Sequence, residues 1–461
     1  MKNTIFIFNN TSPKYKQIYE QFKLYIENGD ISINDQLPSI RELANSLSVS
    51  RNTTLTAYEQ LMAEGYIRSE GRKGYFVNKV DSSLFQNNLM NINNKELELK
   101  ESKHILIDFR AGTVDQQHFP LKIWRRMTNQ VLYTQQSYYY GNPFGEHCLR
   151  EQIATYLFQS RGVRTSVDSI IIGSGTQQML INLIEILKRE FSSIIVEDPG
   201  YDGAREAFKF HNLSIETIPV FKSGVDFSKL NELLSHLIYV TPSHQSPLGV
   251  SMSIKERLEL IQWANSREGY VIEDDYDSEF RYTQQPFPAL ASIDSTRVIY
   301  LGNFSKSFLP GIRISYMVLP EMLLSNYKKQ WSAFECTASL LHQLAMANFM
   351  QEGEWNRHIK RMRLVYKRKM QCITTELRKH FKDTISIIGE QSGLFVLVKI
   401  HLNLTEECLI NRASLLGVKV YPTSIYSVQN HIVEPAIKLG FSNLSCEEIQ
   451  LGIRLLKEAW T

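Results

Sequence analysis

The hydrophobic pattern of the chain changes character twice. Between residues 13 and 79 apolar positions recur at helical spacing, and from Ile105 onward short apolar runs alternate with longer helical ones. In the first stretch Ile40, Leu43, Ala44 and Leu47 form one stripe, and Ser39 with Glu42 three residues later is a capping box that opens a helix at Ile40. The turn at Ser48 and Val49 leads to Ser50, a second N-cap. It predicts a helix from Arg51 to about Glu64 that buries Leu55, Tyr58, Leu61 and Met62 and stops at Gly65. Tyr66 to Arg68, the tip Gly71-Arg72-Lys73-Gly74 and Tyr75 to Val77 then read as a β-hairpin. Two short amphipathic helices joined by a tight turn and followed by a basic hairpin predict a winged helix-turn-helix.

Beyond residue 105 the apolar runs Ile170–Ile172, Ile194–Val196, Leu237–Val240, Tyr270–Ile272 and Val298–Leu301 alternate with helical stretches such as 177–188 and 253–266. Strands this short with crossover helices predict an α/β fold with a mostly parallel, doubly wound sheet. After Pro320, long helices over 322–352 and 354–380 lead into a smaller C-terminal α+β subdomain, about 321–461. Val80 to His104 carries Asn, Ser, Lys and Glu without a period. The expected division is a DNA-binding domain at 1–79, a flexible linker at 80–104 and an effector domain at 105–461. A linker of that length spans roughly 25–30 Å, enough for the two halves to sit on different subunits.

Composition narrows the class without naming it. Among 461 residues, 43% are apolar and 21% charged, as in a globular protein. No apolar run reaches the roughly 18–20 residues a membrane helix needs. The stretch Thr4–Phe8 is too short for a secretory signal, which makes the expected location cytoplasmic. Cys148, Cys336, Cys372, Cys408 and Cys446 form no CxxC pair, so neither a metal site nor a disulfide framework is expected and the thiols are read as buried. Residues 1–79 carry ten Lys/Arg against eight Asp/Glu, so bulk charge does not reveal nucleic-acid binding. Pattern does more: Arg51-Asn52-Thr53-Thr54, all hydrogen-bonding side chains, opens the second helix as a recognition helix would. The plainer alternative is a small helical protein-binding domain with a solvated charged loop.

Candidate chemistry gathers at the ends of the predicted strands. Lys306 lies just past strand 298–301, at the sheet edge where ligands of open α/β sheets bind. A Schiff-base lysine needs a phosphate cradle, a carboxylate for a ring nitrogen, a stacking ring and a nearby cation. Ser174, Gly175 and Thr176 open a helix and suit the phosphate. Asp274 suits the ring nitrogen, Tyr276 the ring hydroxyl, Tyr201 the ring face, and Ser305 and Arg313 flank the lysine. Taken singly, each is as readily a strand-to-helix turn, a capping acid, a turn aromatic or a surface cation.

Together they carry two resemblances. LPSIRELA, VSRNTTLTAYEQL and EGYIRSEGRKGYFV resemble the winged helix of GntR-type regulators, which implies double-stranded DNA contacts by Ser39, Arg41, Ser50, Arg51, Asn52 and Thr53, with Arg72 and Lys73 at the wing. GSGTQQ, VEDPGYDG, VTPSHQSPLG, IEDDYDSEF and LGNFSKSFLPGIRISY resemble, in order, the fold-type-I, class I/II aminotransferases. That likeness implies the cofactor pyridoxal 5'-phosphate (PLP), with Lys306 forming the internal aldimine, Asp274 on the ring nitrogen, Tyr276 on the ring hydroxyl and Tyr201 on the ring face. It also implies that Ser174, Gly175, Thr176, Ser305 and Arg313 hold the phosphate. The order of the two modules is similar to the MocR/GabR subfamily of GntR regulators. This implies a head-to-tail homodimer in which PLP, or an amine or amino acid bound through it, alters operator binding.

Two departures bear on function. Where aminotransferases carry Asn-Pro-x-Gly this chain has Ser246-Pro247-Leu248-Gly249, which shifts the ring-hydroxyl contact towards Gln245 or His244. In place of the substrate-carboxylate arginine stands Lys438, a point charge rather than a bidentate fork. The expected activity is therefore that of a PLP-dependent transcriptional regulator with at most a partial aminotransferase half-reaction. The competing reading is an active aminotransferase with an appended autoregulatory DNA-binding module.

Overall fold

The computed structural model describes residues 8, 12–79, 105–283, 287–428 and 435–461, so the linker expected at 80–104 lies outside the described residues. The chain divides into two units, 1–101 and 102–461. The first contains α1 (Lys14–Glu27), β1 (Gln36–Leu37), α2 (Ile40–Ser46), α3 (Arg51–Ala63), β2 (Ile67–Ser69) and β3 (Tyr75–Val77). Ser39 caps α2 reciprocally with Glu42, and the Ser50 hydroxyl accepts the Thr53 amide at the start of α3. Each cap contributes about 1 kcal/mol.

The hairpin β2–β3 forms as the glycines predict, but it gains a third strand, in the order β1-β3-β2. Two residues are too short to show a period, so β1 was not readable. The face of α3 also differs from expectation. Thr54, Ala57, Tyr58 and Leu61 are buried, while Leu55 and Met62 are only half-buried. Ala57 joins one cluster with Ile18, Phe22, Tyr58 and Leu61. Small residues are chosen where helices approach closely, a demand that hydrophobicity alone misreads.

The second unit opens with β4 (Ile107–Asp108), α4 (Leu121–Leu132) and α5 (His147–Arg161). Then follow β5 (Ile170–Gly173), α6 (Thr176–Leu187), β6 (Ser193–Asp198), α7 (Asp202–Phe210), β7 (Ser214–Phe221), β8 (Gly224–Val225) and β9 (Leu237–Val240). Next are α8 (Ile254–Ser266), β10 (Tyr270–Asp275), α9 (Leu290–Ile293), β11 (Val298–Asn303), β12 (Ser315–Val318), α10 (Glu321–Trp331), α11 (Leu340–Gln351) and α12 (Glu354–Phe381). The chain ends with β13 (Ile385–Ile388), β14 (Phe395–Ile400), α13 (Glu406–Leu415), β15 (Val418–Lys419), β16 (Tyr421–Pro422), β17 (Ala436–Gly440) and α14 (Cys446–Trp460).

Eight strands form one sheet in the order β5-β12-β11-β10-β9-β6-β7-β8, antiparallel only at β12 and β8. Its strands alternate strictly. Ile170, Ile172, Ile195, Ile238, Val271 and Val298 face a core shared with α4, α5, α8 and α11. Ile171, Ile194, Val196, Tyr239, Ile272 and Ile299 face the opposite core with α6, α7 and α10. This is a three-layer α/β/α unit, as the apolar runs predict. The five runs read as strands all form, whereas β7 and β12 were missed.

The stretch 322–352 is not one helix. It breaks between Trp331 and Leu340, where the Thr337 hydroxyl accepts the Ser174 amide and donates to Gln178, tertiary bonds with no local signature. Moreover, α10 and α11 pack on the large sheet, while β13-β14-β17-β16, α12, α13 and α14 enclose a separate core that also takes in Ile107 and Phe109. The smaller subdomain thus starts within α12 rather than near residue 321, and it recruits β4, paired in parallel with β15. The cysteines are not buried as expected: Cys148 is exposed and the other four are half-buried, Cys336 and Cys372 at the margins of two cores.

Beneath the sheet's C-terminal edge lies a buried charge layer. Arg257 is fully buried and donates to the carbonyls of Met252, Pro288 and Pro242. Its guanidinium lies 3.6 Å from Glu273, whose carboxylate accepts the amides of Leu290 and Ala291. Arg257→Met strands Glu273 in the interior and should destabilise the second unit by ~3–5 kcal/mol. Adding Glu273→Gln should recover part of that loss. The check is denaturant unfolding of both variants, and losses that simply add would contradict the pairing.

Candidate functional site

Because β5, β6, β9, β10 and β11 run parallel to one another, the segments that follow them leave the sheet at the same edge. These segments line a cavity of about 400 Å³ that contains Thr176, Tyr201, Asp274, Tyr276, Ser305, Lys306, Arg313 and Lys438. Eight residues singled out from separate motifs are therefore brought together. Gly175 is also at the site: a Cβ placed on it would lie 2.3 Å from the Arg313 guanidinium, and its φ of +133° suits glycine. Ser174 is not in the lining, since its amide is held by Gln178 and Thr337.

Asp274 owes its position to strand parity. On β10 the successive acids Glu273, Asp274 and Asp275 point alternately. Asp275 takes Arg161 at 2.7 Å, with hydrogen bonds from Tyr300 at 2.6 Å and Ser278 at 2.9 Å. Asp274 faces the other way. One oxygen accepts the Tyr239 hydroxyl at 2.5 Å, and the second is buried with no partner among the described residues. Burial pushes its carboxyl up to about 7; Tyr239 opposes this, and Asp275 and Asp277 add to it.

Lys306 is held in the cavity floor, where burial lowers its pKa against the pull of Asp277 and Asp274. The backbone at Gly112 passes directly over it. A Cβ there would come within 2.3 Å of Nζ, and φ is +94°. This roof is anchored three residues on, where Asp115 meets Lys369 at 2.5 Å. Arg313 has no carboxylate partner among the described residues, and Thr176 is the first residue of α6, so a cation and a helix N-terminus face the same space.

Tyr276 donates to the His244 carbonyl at 2.8 Å, and His244 Nδ1 lies 2.8 Å from Asp277. Gln245 is turned away, donating to the Pro199 carbonyl at 2.8 Å. Neither Gln245 nor His244 lines the cavity.

Lys438 lies on β17 between Ile437 and Leu439, which enter the small core, so pleating sends its side chain towards the cavity. There Nζ sits 3.9 Å from the Phe395 ring centroid and 4.8 Å from that of Tyr426. Burial lowers its pKa to about 7; Lys306 reinforces this, and Asp277 and Asp202 oppose it. Sequence reasoning missed Tyr239, Asp277, Phe395 and Tyr426. Asp277 could have been found from its neighbours in the IEDDYDSEF segment. Tyr426 could not, because Arg205 of α7 holds its turn through the carbonyls of Ile425 and Tyr426.

In the first unit, Ser39, Arg41, Ser50, Arg51, Asn52 and Lys73 are exposed and Thr53 is half-buried. The hydroxyls of Ser39 and Ser50 serve as caps. Neither Arg41 nor Arg51 has a carboxylate partner among the described residues. The side chain of Arg72 lies outside the described residues. No helix among the described residues is long and apolar enough to cross a membrane.

A carboxyl whose pKa is raised on folding costs nothing while both states are protonated; the penalty grows as pH rises from the unfolded value to the folded one and levels off above it. Asp274→Asn should therefore stabilise the cofactor-free protein increasingly from about pH 4 to about pH 7, with little further gain above that. Thermal midpoints of the two proteins across that range provide the check, and a gap that does not widen contradicts the assignment.

Comparison with known proteins is consistent across both units. Residues 14–77 match the family of bacterial regulatory proteins of the gntR type, and residues 104–454 match aminotransferase class I and II. The chain is 42% identical to YdeL, an uncharacterized HTH-type transcriptional regulator of Bacillus subtilis, over 97% of each chain. It is 31% identical to MocR of Rhizobium meliloti, a probable rhizopine catabolism regulatory protein, over 97% of this chain and 94% of that one. PdxR of Corynebacterium glutamicum, an HTH-type pyridoxine biosynthesis regulator, is 28% identical over 78% of each. Among solved structures, a kynurenine aminotransferase from Pyrococcus horikoshii superposes with a TM-score of 0.70 at 25% identity, covering 83% of this chain and 94% of its own. The chain belongs to the MocR-type family of HTH transcriptional regulators, in which a GntR-type helix-turn-helix is fused to an aminotransferase class I and II module.

Proposed function

We propose that this regulator binds PLP in the cavity around Lys306 and that occupancy of the cavity sets its affinity for operator DNA. The observation that carries this reading is the fit of the residues present. A buried amine lies beneath Gly112, a buried carboxylate oxygen without a partner faces the same space, and Arg313 stands over Gly175 at the start of α6. When bound, PLP supplies an aldehyde that reacts with primary amines and a ring that withdraws electrons.

The chain's own residues have distinct tasks in this reading. Asp274 would accept the ring N–H at its free oxygen, and a cation there would lower its pKa from about 7. Lys306, whose pKa burial lowers, would hold the aldehyde end of PLP through its Nζ. Arg313, Thr176, Gly175 and Ser305 surround the phosphate position, and Tyr201 supplies the ring face. Tyr276 and Asp277 both meet His244 at Nδ1, at 3.1 Å and 2.8 Å, and so fix the imidazole beneath the cavity.

Lys438 argues against ordinary transamination of α-amino acids. It is a single point charge held against two aromatic faces, with a pKa near 7, and not a fork for a carboxylate. A primary amine without an α-carboxylate, or PLP itself, fits better as the signal. For DNA, the exposed start of α3 with Arg51 and Asn52, Arg41 on α2 and Lys73 on the wing suit phosphate and base contacts. A head-to-tail homodimer with two such modules fits a two-half-site operator.

Adding PLP to the cofactor-free protein should produce a visible absorption band that Lys306→Ala loses, and should shift its affinity for its own upstream DNA. A band that survives in Lys306→Ala refutes the role of the lysine. Arg51→Ala should weaken DNA binding by about 1–3 kcal/mol, with the slope of log K against log salt falling by about 1. Fluorescence anisotropy at several salt concentrations measures both, and unchanged binding would remove α3 from the interface.

A further inference from the structure

A second cavity, about 300 Å³, lies on the far side of the charge layer from the Lys306 site, between α5, the turn after β10 and the start of α12. Its lining is unlike that of a water-filled gap. Both terminal nitrogens of Arg281 are buried without a hydrogen-bond partner, and Arg281 makes no ion pair among the described residues. Lys360 and Arg363 stand exposed at the rim, also without carboxylate partners among the described residues. One acid lines the space: Glu279 takes the Tyr156 hydroxyl at 2.7 Å and leaves its other oxygen buried and unpartnered. Burial holds that carboxyl up near 7, which weakens it as a counter-charge to Arg281 at neutral pH.

A guanidinium taken out of water without a counter-charge is among the costliest groups a fold can hold. Here three cations without a carboxylate partner among the described residues face a cavity large enough for a small molecule, with Arg363 held at the rim by its Nε, which donates to the Glu279 carbonyl at 2.9 Å. We propose that this cavity is a binding site for a small oxyanion, a phosphate or a carboxylate, with Arg281 as the principal ligand and Lys360 and Arg363 guiding entry. A planar guanidinium with two free N–H edges suits bidentate capture of such a group.

The site is wired to the first. Arg161 lines this second cavity, and its guanidinium is bound to Asp275 at 2.7 Å and to Ser243 at 2.8 Å. Asp275 is the neighbour of Asp274 on β10. An anion at Arg281 therefore acts one residue away, through Arg161 and Asp275, from the carboxylate that faces the first cavity. The rim residues belong to α12, which runs on into the small subdomain. Occupancy would therefore stiffen the junction between the two lobes of the effector module.

The test is calorimetric titration of the full chain, with and without PLP, in chloride buffer at constant ionic strength. Inorganic phosphate is the titrant in one arm and acetate in the other. The expected result is saturable binding near one site per chain, weakened roughly tenfold by Arg281→Gln. The rim variant Lys360→Ala with Arg363→Ala should weaken it by a smaller factor, and it serves as the check should Arg281→Gln not fold. Tighter phosphate binding assigns a phosphate-bearing ligand, and tighter acetate binding a carboxylate. Absence of saturable binding in both arms would overturn the proposal. So would binding that survives both sets of substitutions, or that is lost only in Arg313→Gln, since the ion would then sit in the first cavity.

Discussion

Three consecutive acids at the C-terminal end of a buried strand are the constraint around which the effector module is built. Glu273, Asp274 and Asp275 are all buried, and a carboxylate in that position is tolerated only when paired or protonated. The pleat sorts them. Glu273 and Asp275 share one face and meet Arg257 and Arg161, while Asp274 on the other face meets only a tyrosine hydroxyl. The sheet thus neutralises two charges internally and leaves the third with an unmet need for a donor at the cavity. A site that suits a cationic donor follows from strand parity and the positions of two arginines.

The same parity rule sets the opposite wall. On β17, Ile437 and Leu439 fill the small core, so Lys438 must face the large sheet. The roof at Gly112 follows β4, which pairs with β15 of the small subdomain. Asp115 then ties that roof to Lys369 in α12. The floor, with Asp274, Lys306 and Arg313, belongs to the large sheet, while the roof and Lys438 belong to the smaller lobe. A ligand filling this seam touches both lobes at once. Any difference in its contacts between open and closed arrangements becomes a bias on their balance, which is the physical requirement for a sensor.

The features that local sequence revealed are those encoded within a few residues. Ser39 with Glu42 and the Ser50 cap announce α2 and α3, and the Gly-bounded tip announces the hairpin. The five strand-end motifs were readable because each lies within about six residues of an apolar run. What escaped notice depends on partners far along the chain. Tyr239 looks like any core aromatic until β9 is laid beside β10. Phe395 and Tyr426 become walls only when the small sheet folds back. The break between α10 and α11 is held by Thr337 reaching Ser174 and Gln178, more than 150 positions earlier. Leu55 and Ala57 exchanged their expected burial because close helix packing selects for size as well as hydrophobicity.

The two cavities bear on the choice between sensor and enzyme. A catalyst gains from an arginine fork that fixes the substrate's carboxylate, because orientation of the reacting bond lowers the barrier. Lys438 gives up that fork. Its ammonium rests against Phe395 and Tyr426, contacts that compensate a buried cation without aiming it at a ligand. The Asp274 side of the cavity, by contrast, brings the Tyr239-bound carboxylate together with Lys306 and Arg313. On the proposed reading, the cofactor end thus keeps its donors and acceptors while orientation at the substrate end is relaxed. Arg161 adds a route by which a second ligand could bias the retained end, since it is shared between Asp275 and the lining of the other cavity. An arrangement that keeps reactivity, loosens substrate alignment and links the reactive carboxylate to a remote basic cavity suits detection better than turnover.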